Sequence, residues 1–261
     1  MQQKPQDRED RDMLRKFTTA AALSAVLATP LAAQSVSAMS DAERATFRAE
    51  VRAYLMENPE VLLEAIQVLE TRQAADQAAG DVDLVQQNAD EVFNDGYSFV
   101  GGNPDGDITM VEFLDYRCGY CKRAHPEVAE LLSSDGNIRY VVKEFPILGE
   151  QSVLASRFAM AVKDVQGDAA YYDTHNTLMT MRSNITEKAL TEISEQMGYD
   201  TQAVFAAMDS ETITASIDKN RALAQRLRIN GTPSFVFESQ MLRGYVPLDA
   251  MRDVVAQVRT N

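Results

Sequence analysis

Apolar side chains recur at Phe47, Val51, Tyr54 and Leu55, the spacing of one face of a helix. Ser40-Asp41-Ala42-Glu43 supplies a capping box for its start: Ser40 accepts from a backbone amide of the first turn while Glu43 reaches back. Asn58-Pro59 then interrupts with one residue suited to capping and one suited to a first helical turn. A second helix follows, with Val61, Leu62, Ala65, Ile66 and Leu69 on one side. Neither helix, nor the Gln/Ala/Asp-rich stretch 71–79 behind them, can bury such stripes within itself. The stripes therefore need a partner, either the rest of the chain or the same helices of other subunits. Leu84, Val85, Ala89, Val92 and Phe93 mark one more helix, stopped by Gly96.

From Tyr97 the period shortens. Residues 97–100 and 108–114 are β-rich runs separated by Gly101-Gly102-Asn103-Pro104-Asp105-Gly106, dense turn chemistry that predicts two neighbouring strands. Residues 117–132 read as a helix and 138–145 as a strand, so strand, helix and strand within about 40 residues predict a βαβ unit. Between 150 and 229 no strand pattern occurs. Apolar positions there suggest four or five helices, broken near Gly167, Asn184, Gly198 and Ser210, whose Met residues fall at core spacing. Residues 234–237 and 241–243 predict a strand pair, and 248–258 a closing helix.

Composition sharpens this picture in three ways. The 261 residues, 45% of them apolar, suffice for one good-sized domain with a small appendage, and two cysteines are too few for a disulfide-stapled scaffold. The net charge of −14 makes nucleic acid and anionic lipid poor partners. The first 33 residues carry five basic and four acidic groups, so the remainder carries −15. Arg11, Arg15 and Lys16, then the uncharged run 17–28 and the small residues Ala32, Ala33 and Ala38, read as a secretory signal peptide over residues 1–33, cleaved after 33 or 38. Met13 is an alternative start, and the run of about 12 falls short of the roughly 20 residues a spanning helix needs. Export to the periplasm follows.

The chemistry lies in Cys118-Gly119-Tyr120-Cys121, placed where a strand gives way to a helix. The exposed amides and positive end of a helix favour a thiolate on Cys118, with Lys122, Arg123 and His125 adding positive potential. Cys121, one turn on, is placed to attack a mixed disulfide formed at Cys118 and release it. A structural disulfide across two residues would constrain the unfolded chain little. A zinc site lacks ligands, since His125 and His175 are the only histidines and fit no finger spacing.

The segment from Gly102 through Asp115-Tyr116-Arg117-Cys118-Gly119-Tyr120-Cys121 to Ala124 resembles the redox-motif segment of the bacterial DsbA-like thiol–disulfide oxidoreductases. It is most similar to the Com1 and suppressor-of-copper-sensitivity C members, and Gly231-Thr232-Pro233-Ser234-Phe235 resembles their cis-proline loop. The resemblance covers about 81–261, and more weakly the N-terminal extension. It implies an α/β thioredoxin fold over 81–261 with a helical insertion at about 150–229, plus an N-terminal helical extension over 34–80 that joins subunits, as a trimer. It implies Cys118 as nucleophile, Cys121 as resolving thiol, and Glu112 as a buried carboxylate that takes and returns the Cys121 proton. Gly119, Tyr120, Thr232 and Pro233 would meet an extended substrate, with Thr232-Pro233 in the cis form.

No cofactor is implied beyond the redox-active pair Cys118–Cys121. The partners implied are exported proteins with thiols or disulfides and a membrane redox partner of the DsbD/ScsB or DsbB kind. Gly119-Tyr120 and the threonine before Pro233 are more like isomerases than strong oxidases, which commonly carry Pro-His and Val-Pro. A tyrosine also lacks the dipole a histidine would lend the thiolate. The competing reading is a copper-tolerance protein that sequesters Cu(I) on the thiolates of Cys118 and Cys121.

Overall fold

The computed structural model describes residues 39–260, so the signal-peptide reading lies outside the described residues. Compactness divides the described chain at Glu64/Ala65. The first unit holds α1 (Asp41–Glu57) and the opening turn of α2 (Glu60–Gln87). Ser40 caps α1 as its sequence implies, its hydroxyl accepting from the Glu43 amide while the Glu43 carboxylate accepts from the Ser40 amide at 2.8 Å. No residue of α1 is buried, and Phe47, Val51, Leu55, Met56 and Leu62 line an open apolar groove edged by Arg48 and Arg52.

Helix α2 is longer than its stripe predicts. It runs through 71–79, past Gly80 and over Leu84 and Val85, leaving only α3 (Ala89–Phe93) of the helix expected next. The domain edge expected at 80/81 therefore falls within a continuous helix. Ala, Gln and Glu have high helix propensity, which sustains a helix where no apolar face marks it. Its last turns belong to the second unit: Val85 joins the core formed by Val111, Phe113, Val141 and Val236, and Asp81 receives Arg243 bidentately at 2.5 and 2.8 Å.

The second unit is built on β1 (Phe99–Gly102), β2 (Ile108–Leu114), β3 (Ile138–Glu144), β4 (Ser234–Phe237) and β5 (Gln240–Arg243), in the order β1-β3-β2-β4-β5. Strands β2 and β3 are parallel, joined over α4 (Gly119–Asp135), and the other pairings are antiparallel. The predicted βαβ unit is thus present, but β1 and β2 are not neighbours. The crossover seats β3 beside β2, so β1 pairs on the outer edge of β3 and the connecting loop passes over the start of that strand. Glycines are required there: a Cβ on Gly102 or Gly106 would lie 2.4 or 2.5 Å from the carbonyl oxygens of Ile138 and Asn137.

Five helices follow β3, namely α5 (Glu150–Gln166), α6 (Asp168–Thr180), α7 (Glu187–Gln196), α8 (Thr201–Met208) and α9 (Glu211–Arg226), broken where the sequence places breaks. Met160, Met179 and Met208 are buried in their core. The closing helix α10 (Leu248–Val258) packs with α4. Both faces of β2 are buried, which explains its unbroken apolar run. Lys143 of β3, fully buried, donates to Asp95 at 2.5 Å and to the Glu91 carbonyl at 2.7 Å, anchoring the α3–β1 link. The sheet order, the β2-α4-β3 crossover and the helices between β3 and β4 form a thioredoxin fold with a helical insertion.

Candidate active site

The redox loop leaves β2 at Leu114 and is fixed by the next residue. Asp115, fully buried, accepts the amides of Arg117 at 2.7 Å, Ile147 at 2.8 Å and Leu148 at 3.0 Å, while its carbonyl accepts from Cys118 at 3.0 Å. One carboxylate thus joins the loops that follow β2 and β3. Asp115→Ala would leave three amides without an acceptor, and we expect a loss on the order of 3 kcal/mol in denaturant unfolding, with Cys118 reactivity disturbed.

Cys118 is the N-cap of α4. Its sulfur accepts the Cys121 amide at 3.4 Å, and in the protonated form its thiol donates to the Thr232 carbonyl at 3.1 Å. Both cysteines are free thiols; Cys118 is 7% exposed and Cys121 is sealed. The Cys118 pKa falls to about 5, first through the hydrogen bond from the Cys121 thiol, with the Thr232 side chain and the amides of Cys121 and Tyr120 adding to it against the effect of burial. The Cys121 thiol is pushed far up, first by burial, then by its bond to Cys118 and the charge of Glu112.

Cys118 thus stands at the N-terminus of α4, where the sequence places it, while the neighbouring cations turn to other partners. Lys122 donates to the Met181 carbonyl, and the Arg123 guanidinium lies 4.3 Å over the Tyr245 ring. Burial lowers the His125 pKa from its ordinary value, so this ring is mostly neutral at pH 7. Hydrogen bonds to sulfur, rather than a second dipole, stabilise the thiolate beside Tyr120.

Glu112 sits on central β2, paired with Phe235 of β4 and Val142 of β3. It is buried, accepts from the Tyr140 hydroxyl at 2.5 Å, and its pKa is raised to about 7 by burial, with Cys118 and Glu144 pushing the same way. The Thr232-Pro233 bond is cis. Gly119 is open around its Cα, and Tyr120 is 61% exposed, stacked on Tyr245 with ring centroids 6.2 Å apart. The structure thus brings Cys118, Cys121 and Thr232 into direct contact, with Glu112 close enough to act on both sulfurs electrostatically. Among the described residues, no cluster of three or more His, Cys, Asp or Glu could hold a metal ion.

The sequence reading missed Asp115, Tyr140, Tyr245 and Glu144. Asp115 carried a usable signal, a carboxylate directly after an apolar strand. Tyr140 and Glu144 meet the site only through the sheet.

The family model for the DSBA-like thioredoxin domain matches residues 109–256, and that for the copper resistance protein ScsC N-terminal domain matches 43–76. A thioredoxin-like oxidoreductase from Silicibacter pomeroyi is 42% identical with a TM-score of 0.63, covering 66% of this chain and 98% of that one. ScsC of Proteus mirabilis in a transitional conformation is 27% identical with a TM-score of 0.61, covering 85% and 98%. A sodium/proton antiporter of Salinispora tropica is 24% identical over 60% of this chain, and the chain spans about a quarter (24%) of that relative's length. No helix among the described residues is long and apolar enough to cross a membrane.

Proposed function

Since the chain belongs to the DSBA-like thioredoxin domain family, we propose that it is a periplasmic protein disulfide isomerase or reductase rather than a strong oxidase. The observation that carries the exchange chemistry is Cys118 as N-cap of α4, its thiolate stabilised by hydrogen bonds beside a sealed Cys121. A thiolate at neutral pH serves exchange in either direction, and a stabilised reduced form by itself makes a pair more oxidising, so the isomerase direction is supported instead by Gly119-Tyr120 between the sulfurs and Thr232 before the cis-proline.

In the first step the Cys118 thiolate attacks a substrate disulfide. A bond forms between Cys118 Sγ and one substrate sulfur, and the other substrate sulfur leaves as a thiolate. That thiolate can attack elsewhere in the substrate, which reshuffles its bonds. Otherwise Cys121 gives its proton to Glu112 and attacks Cys118 Sγ, forming the Cys118–Cys121 disulfide and releasing the substrate reduced. A membrane partner of the DsbD/ScsB kind would return the pair to dithiol. Gly119, Tyr120 and the Thr232-Pro233 loop form the surface a substrate segment meets.

Refolding of a scrambled multi-disulfide protein, set against oxidation of a reduced one, tests the direction. Faster reshuffling than oxidation supports the isomerase; the reverse makes the protein an oxidase. If neither is catalysed and the reduced protein binds Cu(I) stoichiometrically, the copper-sequestering reading takes its place.

Glu112→Gln is expected to slow Cys121 attack on the order of a hundredfold at pH 7 and to remove its pH dependence near neutrality. Stopped-flow kinetics of mixed-disulfide resolution across pH check this, and an unchanged profile makes the residue structural. Stability should move in a defined direction. The folded pKa of about 7 lies above the ordinary 4.5, so the contribution of this group to stability is fully present below about pH 4.5 and is lost as pH rises through 7. The glutamine variant should therefore melt above the parent at pH higher than 7.

A further inference from the structure

A second carboxylate is sealed in the same core as Glu112. In the parallel register Glu112 opposes Val142 and Leu114 opposes Glu144, so the two acids lie on one face of adjacent strands. Glu144 is buried, and three hydroxyls converge on it: Tyr116 and Tyr171 on Oε1 and Ser156 on Oε2, each at 2.7 Å. They come from the redox loop, α6 and α5. The Tyr116 hydroxyl also lies 3.3 Å from His175 Nδ1, and the Asn220 amide holds the Glu144 carbonyl at 3.0 Å.

The titratable groups that face Glu144 are few. Asp115 and Tyr116 face it from the loop, Tyr171 and His175 from α6, and Glu112 from β2, with Tyr97 and Lys163 across a small cavity. Lys163 is paired with Asp168 at 3.4 Å. Burial holds His175 far below its ordinary value, at about 3, so it is neutral at pH 7. Among the described residues no basic side chain bonds to Glu144. Burial raises the Glu144 pKa to about 7 against the pull of the three hydroxyls, so it takes on its charge in the same pH range as Glu112.

Two acids on one face of a buried sheet, without a shared cation, raise each other's cost of ionisation, and Glu144 is among the groups that push the Glu112 pKa up. We propose that Glu144 is a positioning residue whose charge sets when Glu112 can take the Cys121 proton, and which through Tyr116 holds the redox loop in place. The proposal rests on the reading of Glu112 as the base for Cys121. It gives a task to a carboxylate that the exchange chemistry leaves unused. With Glu144 charged, Glu112 keeps its proton to higher pH and Cys121 stays a thiol. Cys118 is then left exposed to substrate for longer before the internal disulfide closes, which suits reshuffling.

The test uses an aryl disulfide reagent, 5,5′-dithiobis(2-nitrobenzoate), on the full reduced protein. Cys118 takes one arylthio group and releases the first thiolate. Cys121 then gives up its proton, bonds to Cys118 Sγ and releases the second. The rate of that second release is followed against pH in the parent, Glu144→Gln, Glu144→Asp, Glu112→Gln and Tyr171→Phe. Glu144→Gln should lower the midpoint by about half a pH unit and raise the rate at pH 7 about 1.5-fold. Glu144→Asp, which keeps the charge but loses packing, should stay near the parent. A purely structural role predicts the opposite order, with aspartate the more disturbed.

Tyr171→Phe removes one hydroxyl donor, weakens the charge on Glu144 and should move the midpoint the same way by less, which keeps the test open if Glu144→Gln does not fold. A parent-like midpoint in the Glu144→Gln and Tyr171→Phe variants that fold, with the inflection lost in Glu112→Gln, overturns the role of Glu144 and leaves that of Glu112 standing. A parent-like inflection in Glu112→Gln overturns both.

Discussion

Cys121→Ala is expected to end turnover while leaving Cys118 able to capture substrate, so that covalent mixed disulfides accumulate. With a pKa of about 5, Cys118 is about 99% thiolate at pH 7, against a few per cent for a free thiol near 8.5. Alanine removes the Cys121 thiol, the largest source of that lowering, and leaves the two amides and the Thr232 side chain. The thiolate midpoint of the variant should therefore rise above 5 and remain below about 8.5, as read from thiolate absorbance against pH. A midpoint at or above 8.5 would mean that the helix terminus contributes nothing. Cys118→Ala should react with no substrate at all, because Cys121 is sealed and its thiol is held protonated. In the parent, the stability that this thiolate lends the reduced protein is complete above about pH 8.5 and lost as pH falls through 5, since its folded pKa lies below the unfolded one.

Removal of residues 40–79 is expected to turn an oligomer, a trimer by resemblance, into a folded monomer with more oxidase and less isomerase character. Phe47, Val51 and Tyr54 on α1, and Leu62, Ile66 and Leu69 on α2, are all more than 40% exposed. Covering the half of each that is still open contributes on the order of 1 kcal/mol, which is the drive for association. A cut after 79 spares the Asp81–Arg243 pair and Val85, so the catalytic unit should keep its melting temperature. Sedimentation equilibrium decides the first half, and an intact protein that is monomeric at micromolar concentration refutes it. If the truncated form reshuffles scrambled disulfides as well as the intact one, the extension serves another end.

The sequence was most legible where local signals agree. Strands β2 and β3 are short apolar runs bounded by glycine and proline, and α10 carries a clean apolar stripe, so their limits were readable to within about a residue. Helix α2 was not, because its middle is exposed and an exposed helix has no stripe to follow. The pairing of β1 failed for a different reason: nearness in sequence suggested a neighbour, and nothing local reveals that a crossover will place β3 between.

The site divides along the same line. Cys118 and Cys121 declare themselves by spacing and by the strand before them. Glu112 was reached only through resemblance, because one acid in an apolar strand reads equally as an edge residue. Tyr116, Tyr171 and Ser156 reach Glu144 from 12 to 28 residues away in sequence, and no local pattern links them.

The narrow exposure of Cys118 has a further consequence. The residue is only 7% exposed, and its sulfur faces a backbone carbonyl at 3.1 Å. So little of the residue is open that an incoming disulfide would need to sit on a strand of chain loose enough to lie against the Thr232-Pro233 loop. A bond buried inside a finished domain cannot do this; one in a misfolded or half-made chain can. Under the proposed exchange reaction, the recess around the sulfur would work as a sieve for foldedness, passing clients by how much slack they have rather than by the residues they carry.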